Sequence, residues 1–283
     1  MKFPYFLKRH PVFYSTRFWL TIKKPGKNDF YEEHCNKYVR KDKIPIEFRE
    51  EIKRIGVKKG NSSFVAAKKI IRYMNKHYGK GRGLGYSTVE ILRLLKNNGG
   101  GTCSDYSNIF TALCLALNIR VREWGLVGSL KYKNTGKNLG HSFNEIYCHQ
   151  WKKWILFDPF FGVYFESKDN KQPLGTTEVI DFHTRDTGRI RQVHFLSDRP
   201  MKVGRKAKIA RYYLEKNIFF LLKGYNIFSQ DRILRMHKKF PLPVLHFLLI
   251  LCNRYHSYII YLNSDNRHLV KRQLRQILKF NYG

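Results

Sequence analysis

Three residues of this chain have the types and order that nucleophilic catalysis needs: Cys103, His141 and Asp158. Cys103 follows Gly99, Gly100, Gly101 and Thr102, and it opens a stretch whose apolar residues Ile109, Phe110, Leu113, Ala116 and Leu117 recur at helical spacing. A cysteine in the first turn of a helix lies among backbone N–H groups without intrahelical acceptors, at the positive end of the macrodipole. Both effects favour the thiolate and make the sulfur a better nucleophile. His141 follows Gly140 at the start of a strand-like run and can accept and return the thiol proton. Asp158 ends another such run, ahead of Pro159, and can hold the imidazole in one tautomer and support its charged form. Each has an ordinary alternative: a half-buried cysteine, a loop histidine, a turn-forming Asp-Pro. Cys114 illustrates the first, since it falls on the apolar face of its helix.

The elements that must position these groups follow from the periodicity. Ser62 and Ser63 can cap a helix running to about His77, with Ala67, Ile70, Ile71, Met74 and Tyr78 on one side. The glycine-rich stretch Gly79 to Gly85 lacks the Gly-Lys-Ser/Thr ending and the preceding strand of a phosphate-binding loop, so it is read as a plain loop. Thr88 can cap a second helix through Lys96, and the third begins near Cys103. Then the period changes. Val121 to Val127, Ser142 to Cys148 and Trp154 to Phe157 are expected strands, with a polar loop from Gly128 to Gly140 and a hairpin turn at Lys152-Lys153 between Trp151 and Trp154. Trp124, Trp151 and Trp154 are expected in the core or the hairpin. Helices followed by antiparallel strands indicate α+β layer packing. Residues 1–60 are basic and irregular in pattern, with aromatic clusters such as Phe13, Tyr14, Phe18 and Trp19. From Gly204 to Gly224 and from Gln230 to Phe280 the pattern is helical, with amphipathic stretches at Arg211–Leu222 and Leu269–Phe280.

The chain has 283 residues and 43% hydrophobic content, enough for a sizeable core. Its formal charge is +33, divided as +16 over residues 1–100, +3 over 101–200 and +14 over 201–283. The third that holds Cys103, His141 and Asp158 is nearly balanced, and the flanks carry the basicity. Such flanks attract polyanions: anionic membrane, nucleic acid or acidic polysaccharide. No nucleic-acid motif is present. Five cysteines, none in a C-x-x-C pair, argue against a disulfide framework or a structural zinc site and fit a reducing compartment. The apolar run Phe240 to Cys252 spans 13 residues and contains Pro241, Pro243 and His246, too short for the ~20 residues of a membrane span, and is expected to be buried or interfacial. Met1 to Tyr14 contains no secretory apolar region.

Four blocks in residues 85–165 together resemble the core of the transglutaminase-like superfamily. They are Gly101-Thr102-Cys103-Ser104-Asp105-Tyr106-Ser107, Leu117-Asn118-Ile119-Arg120-Val121-Arg122, Gly140-His141-Ser142-Phe143-Asn144-Glu145-Ile146-Tyr147, and Trp154-Ile155-Leu156-Phe157-Asp158-Pro159. Asn118 and Arg120 stand where the family usually has Gly and Pro, and Ser142 where many members have Ala or Val. The resemblance implies a papain-like α+β fold, with the nucleophile at a helix N-terminus packed on an antiparallel sheet, and a Cys103-His141-Asp158 triad. It implies that Arg122 and Glu145 are a structural pair. The oxyanion would take the backbone N–H of Cys103 and, as in papain-like enzymes with an upstream Gln, a side chain such as Asn97 or Asn98; the plainer reading of both is that they end a helix. Arylamine acetyltransferases use the same order of residues, but the segment from Gly140 to Pro159 fits the transglutaminase-like pattern better.

The resulting expectation has three regions: a basic N-terminal extension (1–60), a transglutaminase-like core (61–200) and a basic helical C-terminal region (201–283). The core is expected to act on an amide or ester carbonyl of a protein or peptide through an acyl-enzyme, released by water (peptidase or amidase) or by an amine. No cofactor or metal is expected. The rival is a catalytically retired scaffold that holds a polyanion through its basic flanks. The expected location is cytoplasmic, with the inner face of a membrane as a possible docking place for the C-terminal region.

Overall fold

The computed structural model describes residues 22–23, 41–58, 60–81, 83–127, 140–179, 190–196, 219–224, 227–252 and 257–261. After a two-residue strand at Ile22–Lys23 come four helices: α1 (Ile46–Ile55), α2 (Ser63–His77), α3 (Thr88–Lys96) and α4 (Cys103–Ala116). Ser62 caps α2, its hydroxyl accepting the Val65 N–H at 3.3 Å. Ser87 takes the cap position of α3, which moves Thr88 to the first helical residue. Helix α1 corrects the expectation that residues 1–60 are irregular. Pro45 precedes it, Gly56 ends it in the left-handed conformation, and Phe48 and Ile52 are buried on one side. Its apolar residues are few and lie among six charged neighbours, which is why the pattern is faint in the sequence.

The strands are β1 (Ile22–Lys23), β2 (Val121–Val127), β3 (Gly140–Cys148), β4 (Lys153–Asp158), β5 (Val163–Ser167), β6 (Ile190–Phe195), β7 (Phe219–Gly224) and β8 (Ser257–Tyr261). They form one sheet in the order β1-β8-β7-β2-β3-β4-β5-β6. The neighbours pair antiparallel except β1 and β8, which are parallel. The β3–β4 turn occupies His149–Lys152, with Lys152 at φ 50, and Lys153, expected in the turn, is the first residue of β4.

Two of these strands correct the helical reading of residues 201–283. Phe219–Gly224 pairs with β2, and Ser257–Tyr261 pairs with β7. The run Phe219-Phe220-Leu221-Leu222 is continuously apolar, and periodicity does not separate an inner strand from a helix over so short a run. Ser257-Tyr258-Ile259-Ile260-Tyr261 is β-branched and aromatic, which suits a pleated surface. Helices α5 (Ile227–Leu234) and α6 (Leu242–Leu251) lie between them. The stretches 211–218 and 269–280, the aromatic clusters near the N-terminus and the loop 128–139 lie outside the described residues.

The core lies between the helices and the sheet. Ile70, Ile71 and Met74 of α2, Leu95 of α3, Tyr106, Ile109, Phe110 and Leu113 of α4, and Ile146, Ile155 and Phe157 of the sheet are all fully buried. At about 25 cal/mol per Å2 of apolar area, such burial is the main source of stability. No described helix is long and apolar enough to cross a membrane.

Candidate active site

Helix α4 and strand β3 are joined by a buried polar network. Asn144 donates to the Ser107 carbonyl at 3.3 Å and to Thr111 Oγ1 at 2.9 Å, while Ser107 Oγ donates to Asn144 Oδ1 at 2.8 Å. Buried amides and hydroxyls carry a desolvation cost unless satisfied, so this network fixes one register of helix on strand. That register sets Cys103, the first residue of α4, opposite His141, the second residue of β3.

The start of α4 is shaped by Asp105. Its carboxylate accepts the Thr102 N–H at 2.8 Å, the Thr102 hydroxyl at 2.9 Å and the Leu84 N–H at 3.2 Å. One acidic side chain thus closes the helix end and ties the glycine-rich loop to it. Gly100 has φ +66, and a Cβ there would come within 3.1 Å of the Gly81 backbone. Lys80 and Gly101 form a parallel bridge across this contact. The glycines serve close backbone approach beside Cys103.

His141 is buried, with its Nε2 2.7 Å from Asp158 Oδ2. Nδ1 is the ring nitrogen left for Cys103, with which His141 shares a hydrogen bond. Asp158 is fully buried, and its Oδ1 accepts the N–H groups of Phe160 and Phe161, each at 2.9 Å. Asn75 of α2 donates to the Pro159 carbonyl at 2.8 Å and pins the same turn from below. Gly162 has φ +69 and a Cβ there would lie 3.2 Å from the Asn75 amide, so the turn closes only on glycine. The Phe161 ring stacks on His141, with centroids 4.7 Å apart at 25°, and Phe160 meets it edge-on at 6.1 Å.

Burial pushes the Cys103 thiol up. The charge and hydrogen bond of His141 and the Ser142 backbone N–H outweigh that effect and the repulsion of Asp158, and the thiol ends below its ordinary value. Burial pulls His141 down, but the charges and hydrogen bonds of Asp158 and Cys103 raise it to about 10. The two shifts favour a thiolate–imidazolium pair. Cys114 is pushed well above the ordinary thiol value by burial alone.

Asn97 ends α3 and its N–H donates to the Arg93 carbonyl at 3.2 Å, while Asn98 sits at φ 57; both are exposed. Their placement is that of helix-ending residues. Arg122 donates to Glu145 at 2.6 Å in a fully buried pair, and Glu145 also accepts the Trp124 indole N–H at 2.6 Å and the Thr176 N–H at 2.5 Å. Ser142, a departure from the family pattern, lies 3.1 Å from the Ser104 hydroxyl. Asn75, Asp105 and Phe161 are the supports that sequence reasoning missed. Two of them left a signal: Asn75 is a polar residue four positions after Ile71, on the apolar face of α2, and Thr102-Cys103-Ser104-Asp105 has the capping-box spacing.

No curated protein matches the chain. A solved structure described as "Crystal structure of Rad4-Rad23 bound to a 6-4 photoproduct UV lesion" is similar with a TM-score of 0.31 and 13% identity, over 98% of this chain and 58% of that one. The chain therefore spans less than two thirds of that relative, and so faint a likeness bears no weight. Residues 51–159, from within α1 to the turn after β4, match the family described as the transglutaminase-like superfamily, so this stretch of the chain is similar to a transglutaminase-like core.

Proposed function

We propose that the chain is a thiol enzyme acting on an amide or ester carbonyl, with Cys103 as nucleophile, His141 as general acid and base, and Asp158 as the group that orients His141. The observation that carries this reading is the single imidazole held between Asp158, at 2.7 Å, and the thiol of Cys103, with the thiol lowered and the imidazole raised. A buried histidine–carboxylate pair alone would be structural. Bridging to a half-buried cysteine at a helix N-terminus is the added feature that supports catalysis.

The steps follow from the protonation states. The Cys103 thiolate attacks the carbonyl carbon and its electron pair moves to oxygen. The first-turn N–H groups of α4, that of Cys103 foremost, face the developing oxyanion. The exposed placement of Asn97 and Asn98 leaves the backbone the better donor. His141 then gives its proton to the leaving amine or alcohol as the carbonyl re-forms, leaving a thioester and a neutral imidazole. Next, His141 takes a proton from an attacking water or amine, the C–S bond breaks, and the thiolate–imidazolium pair returns. Water makes the enzyme a peptidase or amidase; an amine makes it an acyl transferase. A protein or peptide is the substrate class proposed, and an oxidisable thiol of this kind belongs in a reducing, cytoplasmic setting.

Iodoacetamide alkylation followed by mass spectrometry across pH tests the reading, with Cys114 as an internal control. Cys103 should react well below the ordinary thiol value of ~8.5, and His141→Ala should remove that advantage. If Cys103 titrates as a free thiol in both proteins, the triad is not assembled. The retired scaffold, binding a polyanion through its basic flanks, then becomes the better reading.

A further inference from the structure

Helix α6 has two unlike faces. One is packed: Leu245 and Leu249 are fully buried, and His246 Nε2 lies 3.2 Å from the Gly85 carbonyl. On the other, Phe240 just ahead of the helix, then Val244, Phe247 and Leu251, succeed one another at steps of four, three and four residues. They are 41%, 43%, 43% and 63% exposed, and Met236, 39% exposed, precedes them by four more. No charged residue occurs between Phe240 and Cys252. A soluble helix normally turns charge outward here; this one turns Phe, Val and Leu outward.

The exposed charges of the segment 227–252 are of one sign. Arg232, Arg235, Lys238 and Lys239 are all exposed at its N-terminal end. The acidic residue of the segment 227–252 is Asp231, which is buried and accepts the Thr88 N–H at 2.9 Å. The surface that α5 and α6 turn to solvent therefore joins an uncharged apolar ridge to a purely basic end. A protein partner of ordinary composition would have to supply both an apolar groove and a separate acidic patch. An anionic bilayer supplies both over any area: headgroup charge for the lysines and arginines, and acyl chains a few ångströms below for the phenylalanines and leucine.

We propose that the stripe Phe240–Val244–Phe247–Leu251 is a docking surface for anionic lipid, seated at the headgroup boundary with Arg232, Arg235, Lys238 and Lys239 against the phosphates. The helix lies in the interface and does not cross it.

The test is co-sedimentation of the full chain with vesicles of phosphatidylcholine alone and of phosphatidylcholine with 30% phosphatidylserine, at low salt and at 0.3 M salt. A companion is the Phe247→Asp, Leu251→Asp double variant, whose changed side chains are both exposed. Circular dichroism of both proteins checks that the variant is folded. The expected result is that wild type binds the anionic vesicles, retains measurable binding at 0.3 M salt and ignores the neutral ones. The double variant should bind at least tenfold more weakly. Three results overturn the proposal. One is no binding at low salt. The second is equal binding by wild type and variant, which assigns adsorption to the +33 charge alone. The third is wild-type self-association in sedimentation velocity that the double variant abolishes, which makes the stripe a contact between copies of this chain.

Discussion

At the scale of single residues, the chemistry proposed for Cys103 depends on how His141 is held. Its ring has hydrogen bonds at one nitrogen to Asp158 and at the other to Cys103, and the Phe161 ring covers its face. Asp158 is in turn fixed by two backbone N–H groups on its other oxygen, so it cannot rotate away to follow the imidazole. This arrangement has a signed pH consequence. The raised value of His141 means that its share of stability is complete below the unfolded value of 6.5 and is lost as pH climbs to about 10. Cys103, lowered in the fold, works in the opposite sense, adding stability as pH rises toward 9.0. The two partly cancel in any unfolding measurement, so ring titration is the cleaner observable. An NMR titration of the His141 ring should give a midpoint near 10 in the wild type. In Asp158→Asn it should fall, because the larger of the two charges that raise it is gone while that of Cys103 remains. An unmoved midpoint would show that the carboxylate does not hold the imidazolium.

At the scale of elements, the α5–α6 pair grips the segment that leads from the glycine-rich loop into α3. His246 meets the Gly85 carbonyl, the His237 ring meets Tyr86 at 4.9 Å, and Asp231 accepts both the Thr88 N–H and its hydroxyl. Asp231 thus caps α3 from a helix 143 residues away in sequence. The same loop is tied by Leu84 to Asp105 at the head of α4, so contacts far along the chain help to shape the rim beside Cys103. Burial raises Asp231 above its ordinary value, so its charged form is not what the site needs most. Asp231→Asn, which keeps an acceptor for the Thr88 N–H, should therefore cost little. Asp231→Ala should lower the unfolding free energy in urea by about 0.5–2 kcal/mol, the usual range for a lost N-cap. Equal loss in both variants would assign the stability to the charge and not to the cap.

At the scale of the whole molecule, the charge of +33 is a source of self-repulsion in the compact state. Screening it should raise the thermal midpoint: Tm is expected to climb as salt goes from about 20 mM to 300 mM, where the Debye length is a few ångströms. A falling Tm would mean that ion pairs such as Lys96–Glu51 outweigh the repulsion. The sequence by itself determined the parts that depend on short spacing: helices α2, α3 and α4, strands β2 to β4, and Cys103, His141 and Asp158 each at the boundary of an element. Local periodicity and capping are carried by neighbouring residues, so they survive without the fold. It did not determine α1, whose apolar face is sparse, or β7, whose apolar run suits strand and helix alike until β2 offers its edge, or β8, which finds its place only once β7 is in the sheet. Nor did it determine Asn75 beneath Pro159, Phe161 on His141, or Asp231 on Thr88. Those contacts join residues tens to more than a hundred positions apart, and only packing of the helices on the sheet brings them within hydrogen-bonding or stacking distance.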